Sequence, residues 1–139
     1  MERVMMRPEG SRKVAVLNGS RQLDKVIGGE WVTLKVLPEA GLPTGVYHLD
    51  DAQRPPVQRE PVSYTGQVLQ VDYEKVYQLH GRGIVVHDRS VFRDLEKGGP
   101  ALAEGQRVTV NYQNGRGAAV GRETGSVARS RERGGGVEL

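Results

Sequence analysis

Asn114-Gly115, set between the alternating runs RVTVNYQ and RGAAV, constrains this chain more than any other feature of its sequence. Both central residues of a two-residue hairpin turn need positive φ, and Asn-Gly meets that need at the least steric cost. A strand is therefore expected on each side of the turn, together covering residues 108–119. The segment expected to pair with this hairpin is GRGIVVHDRSVF, residues 81–92, a glycine turn running into a strand. Alternation sends Ile84, Val86 and Asp88 to one face of it and Val85, His87 and Arg89 to the other.

The rest of the chain follows the same short-strand pattern. Valine dominates the apolar residues and glycine is abundant, which suits strands and turns better than helices. In the N-terminal stretch, 1–50, a loose lead-in over residues 1–12 precedes the strand KVAVL, which Asn18-Gly19 ends. Ser20 can then cap one short helix over residues 21–27, although the same residues also suit a wide hairpin loop. EWVTLKVL reads as a strand with Val32, Leu34 and Val36 towards the core and Trp31 near its rim. Residues 51–61 carry three prolines and form a stiff linker. Residues 62–121 hold YTGQVLQV, KVYQL, the 81–92 strand and the Asn-Gly hairpin. Five strands in about sixty residues suit a small β-barrel, SH3-like or a truncated OB-like one. Val68, Val76, Ile84, Val86, Val108 and Val110 are its expected interior, with Phe92 and Leu95 as a plug. Residues 122–139 read as a disordered tail. The fold class expected is thus mainly β, in two small modules.

Charge narrows the range of partners. The sequence pI is about 9.4, yet residues 1–60, 61–121 and 122–139 each carry only one more basic than acidic side chain. No basic stripe exists, so tight sequence-independent binding to nucleic acid is not supported. There is no cysteine, which excludes disulfides and thiolate metal sites and suits a reducing, cytoplasmic setting. No apolar run approaches membrane-spanning length, and the N-terminus lacks a signal peptide's apolar core.

His87-Asp88 invites a catalytic or metal reading, with His48 and His80 as further imidazoles. Neighbours on a strand point to opposite faces, and no ligand-spaced histidine or carboxylate cluster surrounds them. No catalytic residue, metal or cofactor is expected. The Gly81-Arg82-Gly83 and Gly115-Arg116-Gly117 loops do not precede a helix, so they read as turns rather than phosphate cradles. Their arginines, with Arg89 and His87, form the expected outward patch, suited to carboxylates on an acidic partner. Tyr64, Tyr73, Tyr77 and Tyr112 beside arginines also permit stacking on single-stranded nucleic acid.

GRGIVVHDRS followed by VTVNYQNGRG, preceded by YTGQVL, resembles the KfrB domain of broad-host-range and conjugative plasmids. The resemblance covers roughly residues 64–120; the N-terminal VAVLNGSRQLDKVIGGEWVTLKV looks like a second module that accompanies it. What this implies is a non-enzymatic accessory protein of plasmid maintenance, partition or conjugation, cooperating with a KfrA-type DNA-binding coiled-coil protein. No catalytic residues come with it. Arg82, His87, Arg89, Asn111, Tyr112 and Arg116 are the candidate binding residues. The leading expectation is a protein-interaction adaptor, and the second is direct single-strand binding.

Overall fold

A computed structural model describes residues 7–123, and in it the chain is mainly β, in two compact units. The N-terminal unit contains β1 (Arg12–Leu17), β2 (Ser20–Ile27), β3 (Glu30–Pro38), β4 (Gly45–His48) and a 3-10 turn at Leu49–Asp51. They form one antiparallel sheet in the order β3-β2-β1-β4.

The short helix expected over residues 21–27 is instead part of β2. Asn18-Gly19 and Gly28-Gly29 both take positive φ, so the chain reverses in two residues at each end of the strand. β2 buries Leu23 on one face and Asp24 and Val26 on the other. Its apolar residues therefore stand three apart and imitate a helical period. The face of β3 is also corrected. Val32, Leu34 and Val36 are exposed, at 39, 45 and 63%. Among the described residues β3 is an edge strand paired only with β2, and the buried apolar side chains of this sheet lie on β1 and β2. Trp31 is half-buried, 5.9 Å from His48 and under the Lys13 ammonium at 4.3 Å.

Between Asp51 and Val62 the chain runs without helix or strand, apart from a bridge from Gln53 to the free edge of the third strand of the C-terminal unit. That unit comprises β5 (Val62–Val71), β6 (Lys75–His80), β7 (Gly83–Asp88), a 3-10 turn at Arg89–Phe92, α1 (Arg93–Lys97), β8 (Arg107–Gln113) and β9 (Arg116–Glu123). The strand order is β7-β6-β5-β8-β9. It is a small β fold but not a closed barrel. β5 is long enough to serve two partners: Val62–Gln67 pair with β8, and Val68–Val71 with β6. Gly66 lies where it passes from one to the other. A Cβ there would run into the backbone carbonyl of Leu79, so the strand can only approach β6 this closely without a side chain.

The core comprises Tyr64, Val68, Val76, Val85, Phe92 and Leu102, with Val108, Val110 and Tyr112 from β8. Phe92 is fully buried and Leu95 packs on the cluster, as a plug should. On β7 the expected phase is reversed: Val85 belongs to the cluster, while Ile84 and Val86 are buried on the opposite face. A strand buried on both faces gives no alternation to read. The expected disordered tail lies outside the described residues from 124 onward, and its first two residues belong to β9. The lead-in is described only from residue 7.

Gly66→Ala is expected to cost on the order of 1–3 kcal/mol, because backbone must move to admit the methyl group. Gly121→Ala, where a Cβ meets nothing within 4 Å, should leave the melting temperature unchanged. Thermal melts of both variants check this, and equal melting temperatures would contradict it.

Candidate functional site

β6, β7 and β8 bring three polar side chains into the middle of the C-terminal core. Val76 lies opposite His87 and Gln78 opposite Val85, so Gln78 and His87 share the inward face. The Gln78 carboxamide donates towards the carbonyls of Tyr64, Gly66 and Val108 at 3.0–3.3 Å. Its nitrogen end is thereby fixed, and Oε1 faces His87 Nε2 at 2.8 Å. His87 Nε2 must therefore carry the proton, leaving Nδ1 to accept from the Tyr112 hydroxyl at 2.6 Å. The Tyr64, Phe92 and Tyr112 rings surround the imidazole with centroids 5.6–5.9 Å away.

His87 is only 1% exposed, so it does not belong to the outward patch that strand alternation assigned to it. Burial pushes its pKa down to about 4 and pushes the Tyr112 hydroxyl well up. Both groups stay neutral at ordinary pH with their hydrogen bonds made. This chain of bonds holds four strands, β5 to β8, together, and it presents no reactive atom to solvent. Asp88, the next residue, points out to Lys75 at 2.6 Å, whose hydrogen bond holds the carboxyl below its ordinary range. Among the described residues no group of three histidines, cysteines or carboxylates could hold a metal.

Arg89 also leaves the expected patch. It forms a two-pronged pair with Glu96, at 3.2 and 2.9 Å, and donates to the Asp72 carbonyl at 3.1 Å. Glu96 in turn accepts the Leu102 amide. Arg89 thus fastens α1 and the loop before β8 to the end of β5.

Arg82 is exposed at the β6–β7 turn, and Arg116 at the start of β9. They do not share a pocket. Asn111, Tyr112 and Arg116 do, beside Ser63, whose hydroxyl donates to Asn111 Oδ1 at 2.6 Å. The tyrosines form no common platform: Tyr64 and Tyr112 pack edge-on in the core, while Tyr73 is 90% exposed. Sequence reasoning missed Gln78, whose only signal is a polar residue inside the run KVYQL. It also missed Arg93, which lies beyond the matched motifs but shares a second pocket with Tyr112 and Arg116.

The chain can be compared with known proteins on this geometry. The KfrB domain model matches residues 63–121, spanning the strands that carry Gln78, His87 and Tyr112. Protein TraB of Escherichia coli is 48% identical over 118 residues, which is 85% of this chain and 77% of the relative.

Neutral burial of His87 makes stability depend on pH. The folded pKa, about 4, lies below the unfolded value of about 6.5, so the unfolded state takes up the proton first. Stability should be full above pH 6.5 and fall by about 3 kcal/mol as pH is lowered to 4. Urea melts at pH 7.0 and 4.5 in a His48→Gln background isolate this histidine, because the His48 pKa is also lowered by burial. A constant midpoint across that interval would mean that His87 is not buried in its neutral form.

Proposed function

Because the chain belongs to the KfrB-domain family, whose members are plasmid-associated, we propose that it is a non-catalytic adaptor that binds another plasmid protein in the cytoplasm. The observation that carries this reading is β3. It is a nine-residue edge strand with Val32, Leu34, Val36 and Leu37 all at least 36% exposed. Folded proteins ordinarily blunt such edges with charge, proline or a cover. Here Glu30, Thr33 and Lys35 are the only polar side chains of the strand, and Pro38 ends it. Apolar side chains beside unpaired backbone groups suit a protein partner that adds a strand or lays an apolar face against them. The partner proposed is the KfrA-type coiled-coil DNA-binding protein of the same plasmid. Non-catalytic action agrees with an imidazole sealed in the core, and with carboxylates at Asp88 and Glu96 that are held in ion pairs. Among the described residues no helix is long and apolar enough to cross a membrane.

A second reading, single-strand binding, has one observation in its favour. Exposed Tyr73 borders a groove with Lys75, Arg93 and Lys97. Glu74, Asp88 and Glu96 line the same groove and oppose a phosphate backbone.

Leu34→Glu/Val36→Glu should leave the fold intact, since both side chains are exposed, and weaken binding to the purified KfrA-type protein at least about tenfold, or about 1.4 kcal/mol. Wild-type affinity should persist as salt is raised from 50 to 200 mM, whereas phosphate-mediated binding would collapse, by about 1,000-fold or more for six or more contacts. A folded double variant that binds as tightly as wild type would overturn the β3 reading.

A further inference from the structure

Among the described residues of the C-terminal unit, the pattern of charge pairing leaves two guanidiniums without a counter-ion on one pocket. The pocket, of about 360 Å3, lies between the end of β7 with its following 3-10 turn and the start of β9. Its walls include Asp88, Ser90, Val91, Arg93, Tyr112 and Arg116. Other cations nearby are neutralised: Lys75 by Asp88, and Arg89 by Glu96. Arg93 and Arg116 are both exposed, and among the described residues neither guanidinium makes an ion pair or a hydrogen bond. The one carboxylate on the pocket wall, Asp88, is already committed to Lys75.

We propose that Arg93 and Arg116 form a carboxylate-binding pocket that takes an acidic side chain of a peptide segment. Guanidinium forks match a carboxylate's two oxygens, and like charges left unpaired around one concavity gain most when an anion enters. The Ser90 hydroxyl supplies a further donor, and the Tyr112 ring and Val91 give an apolar wall for the methylene stem of Glu or Asp. Tyr112 is held from behind by His87, so that wall is already set before a ligand arrives.

The surroundings favour a peptide over a polyphosphate. A larger groove of about 870 Å3 shares Asp88, Ser90 and Arg93 with this pocket and adds Glu74 and Glu96 beside Lys75 and Lys97. Alternating signs of this kind repel a continuous anionic backbone, while they can match a segment carrying one or two carboxylates among other side chains. Residues 61–121 carry an excess of only one basic side chain, which points the same way. The pocket belongs to the C-terminal unit and does not depend on β3 being the adaptor surface.

The test uses the whole chain, 15N-labelled at arginine, with a blocked Glu-Ala-Glu-Ala peptide as probe. Arg93 and Arg116 Nε–H signals should shift together along one binding curve, with a dissociation constant of about 1 mM, while Arg82 and Arg107 stay in place. The Gln-Ala-Gln-Ala analogue should shift none of them. Arg93→Gln should abolish the Arg116 response, and Arg116→Gln the Arg93 response, with melting temperatures unchanged because both side chains are exposed. Equal shifts of all four arginines would reduce the effect to general screening and overturn the pocket. So would independent curves for Arg93 and Arg116, or no shift at 20 mM peptide. If oligothymidylate moves the same two signals more tightly than the peptide at equal ionic strength, the site is a phosphate site and the acidic-peptide proposal is overturned.

Discussion

The Gln78 carboxamide is the group on which the C-terminal unit depends. A buried amide without partners costs several kcal/mol, and this one is placed where β5 and β8 offer it three carbonyls. Once its nitrogen is held there, its oxygen sets the tautomer of His87, and His87 sets the direction of the Tyr112 hydroxyl. β5, β6, β7 and β8 are thereby locked into one register. Slipping β6 by a single residue would turn Gln78 outward and leave the carbonyls and His87 unsatisfied together. The network thus specifies the arrangement of strands more sharply than valine packing alone, because valines on neighbouring positions are nearly interchangeable in shape.

The buried polar groups of the C-terminal network are spent on one another, which leaves the outside of that unit as the place for function. In the C-terminal unit the imidazole and the Arg89–Glu96 pair are used up in holding the fold. What remains open is charge, at Arg82, Arg93 and Arg116. In the N-terminal unit the opposite holds. Its four strands bury Val14, Val16, Leu23 and Val26, leaving β3 with apolar side chains exposed at its edge. A sheet this small cannot cover both faces of all its strands, since surface falls more slowly than volume as a unit shrinks. Each unit therefore exposes a different chemistry: apolar side chains on one and guanidinium groups on the other.

Local chemistry was legible wherever one or two residues decide the backbone. Asn114-Gly115 required a tight hairpin, and Asn114 and Gly115 take the φ values of 55° and 78° that such a turn needs. The valine-rich alternation and scattered glycines required a mainly β chain, and Phe92 and Leu95, three apart, required a short plug. The sequence also placed Asp88 and His87 on opposite faces, because strand geometry permits nothing else. It did not reveal the phase of β7. Ile84, Val85, Val86 and His87 are all buried, so no polar face marks the outside. Nor did it show that Asn18-Gly19 and Gly28-Gly29 would hold residues 21–27 in a strand, since the spacing of Leu23 and Val26 suits a helix equally well.

Turns, strand content and the exclusion of thiolate chemistry were determined by the sequence alone, because each depends on single residues or their immediate neighbours. Only the tertiary structure decided which polar residues are inside. His87 is buried because Gln78, nine positions earlier, and Tyr112, twenty-five positions later, arrive with matching hydrogen-bonding groups. Arg89 is a fastening rather than a ligand because Glu96 and the Asp72 carbonyl come within reach of it. Arg93 and Arg116 share a pocket because the turn after β7 meets the start of β9, and Val32 and Val36 stay exposed because β3 ends a sheet. Burial of a polar side chain is decided by the free energy of partners distant in the chain, and a strand's own residues carry no record of which partners those are.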